Sequence, residues 1–272
     1  MTVVGTPPPL PVRDRASAQD RTAGALSPML RRLAEEQATG VLVREHGTLH
    51  LAGGRVVHAE SPHAPGLDVL LTAHGTLATA AWQQAAGQAD GPADAARLLL
   101  AEGLLPEGAL ELCHLDALYD AGYFTLSPSS TPGRFRYASA PRPGPLPSVP
   151  VIALERETLR RRLLLHRLWP DPAADSTPLI RADPAAAAPV TPRQRAVLDR
   201  VDGVRTALEI ARNLGRQAFH TLVDVRRLAA AGLVRPVPTA PAPPPVPPAP
   251  PLTVTDPDIA LLKRLRDALE AL

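Results

Sequence analysis

Apolar and polar positions alternate along GVLVREHGTLHLAGGRVVHAE, residues 40–60, and glycines break the alternation at Gly47 and at Gly53-Gly54. Leu49 and Leu51 alternate with Thr48 and His50, and Arg55, Val56, Val57, His58 and Ala59 begin a third run. Period-two patterning bounded by tight turns predicts a three-stranded antiparallel meander. A meander of this size buries a face only when other elements cover it.

Helical periodicity supplies that cover on both sides. Ser27-Pro28 reads as a cap and first turn, with Leu26, Met29, Leu30 and Leu33 as the stripe that follows. Downstream, Leu67/Leu70/Leu71, an Ala-rich run over 77–86, Ala96/Leu99/Leu100 and Leu110/Leu112/Leu115/Leu118 predict four helices, the last ended by Gly122. Tyr123–Leu126 and Arg134–Tyr137 then read as two strands of a hairpin. Ile152, Leu154, Leu159, Leu163, Leu164 and Leu168 predict a helix over 151–168, with Arg156, Arg160, Arg161 and Arg162 on its other face. The Asp-, Pro- and Ala-rich stretch 171–190 reads as a linker.

A second periodic region runs over 191–236. Thr191-Pro192 caps a first helix, Val204, Ala207, Leu208 and Ala211 pattern a second, and Phe219, Leu222, Val225 and Ala229 a third. Leu233-Val234-Arg235 then reads as the first strand of a wing. Three short helices and a strand predict a winged helix-turn-helix, in which the third helix turns Arg216, Gln217, His220, Thr221, Asp224 and Arg227 outward. A polyproline spacer follows, and then an amphipathic helix with Ile259, Leu262, Leu265 and Leu269 on one stripe.

The expected fold class is therefore α+β: an antiparallel meander with packed helices, then a small winged-helix-like domain, a proline-rich linker and a C-terminal helix. The expected boundaries are a disordered segment over 1–23, a first domain over 24–168, a linker over 169–189, the winged-helix-like domain over 190–236, the proline-rich linker over 237–255 and the helix over 256–272.

Composition sharpens this in three places. Aromatics are only 3%, which favours modest, helix-rich cores. The whole chain carries a net charge of only +2, yet the stretch 191–236 holds nine arginines against four acids, 9 − 4 = +5. Any nucleic-acid reading therefore rests on that stretch. Its third helix argues against it, because Asp224 sits mid-face where phosphates would repel it. The single cysteine, Cys113, fits a reducing cytoplasm. The N-terminal residues lack the pattern of a signal peptide, and no run reaches the ~20 apolar residues of a membrane span, so a cytoplasmic protein without membrane contact is expected.

Chemistry is sparse. His46, His50, His58, His63 and His74 fall in one region, but a two-residue turn at Gly53-Gly54 pairs His50 with Val57 and turns His50 and His58 to opposite faces. A three-residue loop would set the two histidines across from each other, and still no third ligand is spaced to complete a metal site. Cys113 lies in a leucine-rich helix, where a buried thiol is the default. No nucleotide-binding or nucleophile-elbow motif is present. No catalytic residue, cofactor or metal is expected.

Thr39-Gly40, Gly54-Arg55-Val56-Val57-His58-Ala59, Gly66, Gly103 and Gly122-Tyr123-Phe124 together resemble the bacterial PatA-type N-terminal domain. The resemblance covers residues 25–168 and implies a non-catalytic module joined to response-regulator or winged-helix domains. The acidic pocket and lysine of a receiver domain are missing here, which leaves phosphorylation control without a site. The expected function is a non-enzymatic regulatory or signalling adaptor with a protein partner, able to self-associate through its C-terminal helix. The alternative is a DNA-binding transcriptional regulator that uses Arg216, Gln217, His220, Thr221 and Arg227.

Overall fold

A computed structural model of the chain describes residues 27–73, 75–89, 91–138, 146–182, 189–238 and 259–270. The segment 1–23 and nearly all of the proline-rich stretch 237–255 lie outside them. Residues up to Val237 form one compact unit, and those from Pro238 another.

The first unit opens with α1 (Pro28–Glu35), which Ser27 caps by accepting the Leu30 N–H at 3.4 Å. β1 (Gly40–Arg44), β2 (Gly47–Ala52) and β3 (Arg55–Glu60) form the expected meander. Next come α2 (Leu67–Thr72), α3 (Thr79–Gln88), α4 (Pro92–Ala101) and the long α5 (Glu107–Thr125). β4 (Arg134–Tyr137) and β5 (Val149–Pro150) lead into α6 (Val151–Leu168). The remainder is α7 (Ala173–Ser176), β6 (Leu179–Arg181), α8 (Pro192–Leu198), α9 (Ala207–Asn213), α10 (Ala218–Ala230) and β7 (Val234–Pro236). The second unit contributes α11 (Ile259–Glu270). The fold is mixed α and β, with 11 helices and an antiparallel five-stranded sheet among the described residues.

The meander is the middle of that sheet, ordered β4-β1-β2-β3-β5. Leu42, Leu49, Leu51, Val56 and Ala59 are all buried; Val56 and Ala59, three positions apart, share one face because the pairing of β2 with β3 slips between them. α5 packs along β2 and β3. Gly54 fixes α1 to the sheet: its φ is +73°, its N–H donates to the Ala38 carbonyl at 3.0 Å, and a Cβ there would lie 2.5 Å from the Ala34 carbonyl. Thr39 completes the joint by accepting the Gly53 N–H at 3.0 Å.

Two local expectations fail. Tyr123–Leu126 is not a strand, since α5 continues through Thr125 and β4 pairs with β1 instead. Gly122 does not stop the helix. A Cβ on it would meet Leu154 Cδ1 at 2.6 Å, so its role is to let α5 and α6 approach. Tyr123, Phe124 and Thr125 are then buried as helical residues, and packing outweighs their strand propensity.

The stretch 171–190 is not simply a linker. It supplies α7 and β6, and β6 pairs antiparallel with β7 in the register Leu179↔Pro236, Ile180↔Arg235, Arg181↔Val234. A three-residue strand among prolines carries too short a period to be read. The two expected domains also merge. One apolar core runs from Leu30, Leu42 and Leu49 through Leu118, Phe124, Leu154 and Leu165 to Ile210, Phe219, Leu222 and Val234. A smaller core, built on Leu71, Leu99 and Leu110, gathers α2, α3, α4 and the start of α5.

Candidate functional site

The three helices read as a winged helix form where expected. Thr191 with Gln194 and Thr206 with Glu209 make capping boxes at the starts of α8 and α9. α10 has no cap of its own. Asp120, on α5, takes that role from across the core: its carboxylate accepts the Ala218 N–H at 2.5 Å and the Phe219 N–H at 2.9 Å. Arg161 of α6 donates to the same carboxylate at 3.4 Å and lies 4.5 Å from the centre of the Phe219 ring. Burial pushes Asp120 up to about 6, against the pull of the two N–H donors and Arg161.

This arrangement overturns the outward face expected for the third helix. Gln217, Thr221 and Asp224 are buried, Arg216 is half-buried, and only His220 and Arg227 are exposed. Asp224 lies against Arg193 at 3.0 Å, not against solvent. Arg226 turns inward to Asp175 at 2.5 and 2.8 Å and to the carbonyls of Leu165 and Trp169. The reason is that α10 is packed by α8 and α9 and also by α6 and α7. Pairing draws the basic surplus down by one, since Arg226 pairs with Asp175 outside the stretch, while the partners of Arg193 and Arg205 are acids already counted within it. A major-groove reading therefore loses the continuous polar face it needs.

The histidines meet by a route that neither simple register anticipates. The Gly53-Gly54 turn is two residues long, with Ala52 opposite Arg55 and Leu51 opposite Val56, and a bulge then skips Val57 and sets His50 opposite His58. Their ring centres are 5.5 Å apart, and His114 of α5 lies 6.3 Å beyond His58 at a 15° tilt. His58 sits 3.0 Å from Glu60 and draws that carboxyl below its usual range. His114, beside the Pro147 carbonyl at 3.2 Å, is pushed down to about 4, mainly by burial. Burial also lowers His50. Among the described residues no group of three or more His, Cys, Asp or Glu is arranged to hold a metal ion. Burial raises the Cys113 thiol, the wrong direction for a nucleophile.

Two surfaces stand open. An open cleft of about 510 Å³ lies between α5 and α6, lined by Tyr119, Ala153, Arg156, Glu157 and Arg160. Arg160 and Arg161 hold Glu157 down to about 2. The expected basic face of α6 is thus divided, because Arg161 and Arg162 turn inward to backbone carbonyls of Tyr119 and Leu126 while Arg156 and Arg160 stay exposed. The sequence does not mark which arginine turns inward, since Glu157 pairs with the exposed Arg160 as well as with the buried Arg161. On α11, Leu262, Leu265 and Leu269 are 53%, 53% and 71% exposed. The side chain of Ile259, the fourth member of that stripe, lies outside the described residues.

No helix among the described residues is long and apolar enough to cross a membrane. No protein family, curated protein or solved structure matches the chain.

Proposed function

We propose that the protein is a non-enzymatic, cytoplasmic regulatory or signalling adaptor that acts through protein–protein contacts. The observation that carries this reading is α11, a helix in a unit of its own on which Leu262, Leu265 and Leu269 are exposed. A 12-residue helix is marginal alone in water, so a stripe of this kind needs a covering surface to hold its shape. The cleft between α5 and α6 offers a second surface on the first unit, and two surfaces on one chain raise effective concentration at an assembly. The resemblance of residues 25–168 to the PatA-type N-terminal domain points the same way. The order α8, α9, α10, β7 is compatible with a winged-helix-like arrangement put to use as packing scaffold. The DNA-binding alternative keeps its arginines but has Gln217 and Thr221 buried, and is the weaker reading.

A pull-down from native cells with the full chain and with a chain lacking residues 252–272 tests this. The expected result is a set of partners that depends on the C-terminal residues. An unchanged set would overturn the docking role of α11.

A further inference from the structure

We propose that the β4 edge of the sheet takes an extended, acidic segment of a partner protein as an added strand. The inference rests on the adaptor reading and deepens it by naming the chemistry of one partner segment.

The two edge strands of the sheet differ in what they offer. β5 is two residues long, and one of them, Pro150, has no N–H to donate before the chain turns into α6. β4 is four residues long and contains no proline. It pairs with β1 from Gly40↔Tyr137 to Val43↔Arg134, and Ala138, next in that register, donates to the Thr39 carbonyl at 3.2 Å. Bonded and non-bonded pairs alternate along an antiparallel ladder. Arg134, Arg136 and Ala138 therefore direct their backbone groups to β1, and the N–H and C=O of Phe135 and Tyr137 point out of the sheet. Outward backbone groups of this kind are what strand addition uses.

The side chains choose the strand. Arg134 and Arg136, opposite Val43 and Val41, lie on the face turned away from Leu42. Both are exposed, and neither pairs with an acid among the described residues. Phe135, opposite Leu42, and Tyr137 take the other face, where their rings meet edge to face at 4.9 Å and Tyr137 is 71% exposed. A strand laid alongside thus meets two cations on one face and an aromatic pair on the other. Opposite charges and apolar–aromatic pairs stabilise cross-strand neighbours, so the edge selects a segment in which acids alternate with apolar residues. A second copy of β4 fails that requirement. In the register that uses the outward groups of both residues, Phe135 faces Tyr137 and Arg136 faces Arg136, a like-charge pair that is destabilising. The arginines that bar a second copy are the ones that admit an acidic strand.

Fluorescence anisotropy of a labelled synthetic peptide alternating Glu and Val, titrated with the full chain, tests this. Binding should weaken with added salt, and a peptide alternating Lys and Val should bind far more weakly. Arg136→Glu should weaken the Glu–Val peptide about fivefold, the upper value for one exposed ion pair. Tyr137→Pro removes one outward N–H and leaves the β1 ladder whole, so it should weaken binding about tenfold. Tyr137→Ala, which keeps that N–H, should bind more tightly than Tyr137→Pro. Equal binding of the two peptides would overturn the proposal, and so would an Arg136→Glu chain that binds as the parent does. A dimer of the chain that Tyr137→Pro dissociates would overturn the choice of an acidic partner. Absence of peptide binding in a chain whose partners still depend on residues 252–272 would overturn strand addition and leave the adaptor reading standing.

Discussion

Gly53 and Gly54 are neighbours in one turn, and the structure asks different things of them. Both have φ in the left-handed region, +53° and +73°. A Cβ on Gly53 would meet nothing within 4 Å, whereas one on Gly54 would press into the Ala34 carbonyl at 2.5 Å and approach Gln37 Cα at 3.1 Å. Backbone cannot yield as a flexible side chain can. Gly54→Ala should therefore cost about 2 kcal/mol or more, read as a shift of the urea midpoint, while Gly53→Asn should stay within about 1 kcal/mol because Asn tolerates that φ. Equal effects at the two positions would mean that the turn does not pin α1. At this scale the sequence is only partly legible. A glycine pair announces a turn, but the bulge at Val57 that brings His50 to His58 is a property of the pairing and has no residue to mark it. Asp120 is the harder case, since its partners lie about a hundred residues away at Ala218 and Phe219.

At the scale of elements, what is legible is what is locally determined. The meander, the Ser27 and Thr191 caps and the long helix over 151–168 are each specified within a few residues of themselves. What is not legible is set by a distant neighbour: β6 exists because β7 pairs with it, and α5 keeps going past Gly122 because α6 receives its last turn. Gly122 offers a test whose sign decides between two roles. In an isolated helix Gly→Ala gains about 1 kcal/mol. Here the new methyl would sit 2.6 Å from Leu154 Cδ1 in a packed core, where overpacking costs about 1–3 kcal/mol. Gly122→Ala should therefore lower stability, and adding Leu154→Ala should recover part of the loss attributable to the clash. A double-mutant cycle by chemical denaturation reads that coupling. A stabilised single variant would show that α5 and α6 are not in close contact there.

At the scale of the whole molecule, two buried groups on α5 oppose each other in their response to pH. Asp120 rises from 3.8 to about 6, chiefly by burial. Between those values the folded chain holds a proton that the unfolded chain has released, so this group's contribution is complete below about 4 and is lost as pH rises through 6. His114 falls from 6.5 to about 4, again chiefly by burial. Between those values the unfolded chain takes a proton that the folded chain refuses, so this contribution is complete above 6.5 and is lost as pH falls through 4. Each shift is worth about 3 kcal/mol at 1.36 kcal/mol per unit, and the two windows nearly coincide. The pair should therefore cancel, leaving little net pH dependence from these groups between about 4 and 6.5. Replacing one member exposes the other. Asp120→Asn should give a chain whose stability, compared with the parent, rises with pH across that window, and His114→Gln one whose stability falls. Urea unfolding of the parent and both variants at several pH values measures the two differences. Profiles that run parallel to the parent would mean that neither group changes its protonation on folding. Opposite slopes would show that one helix, α5, carries both balancing groups: a carboxyl that anchors α10 and an imidazole that packs beside the histidine pair of the sheet.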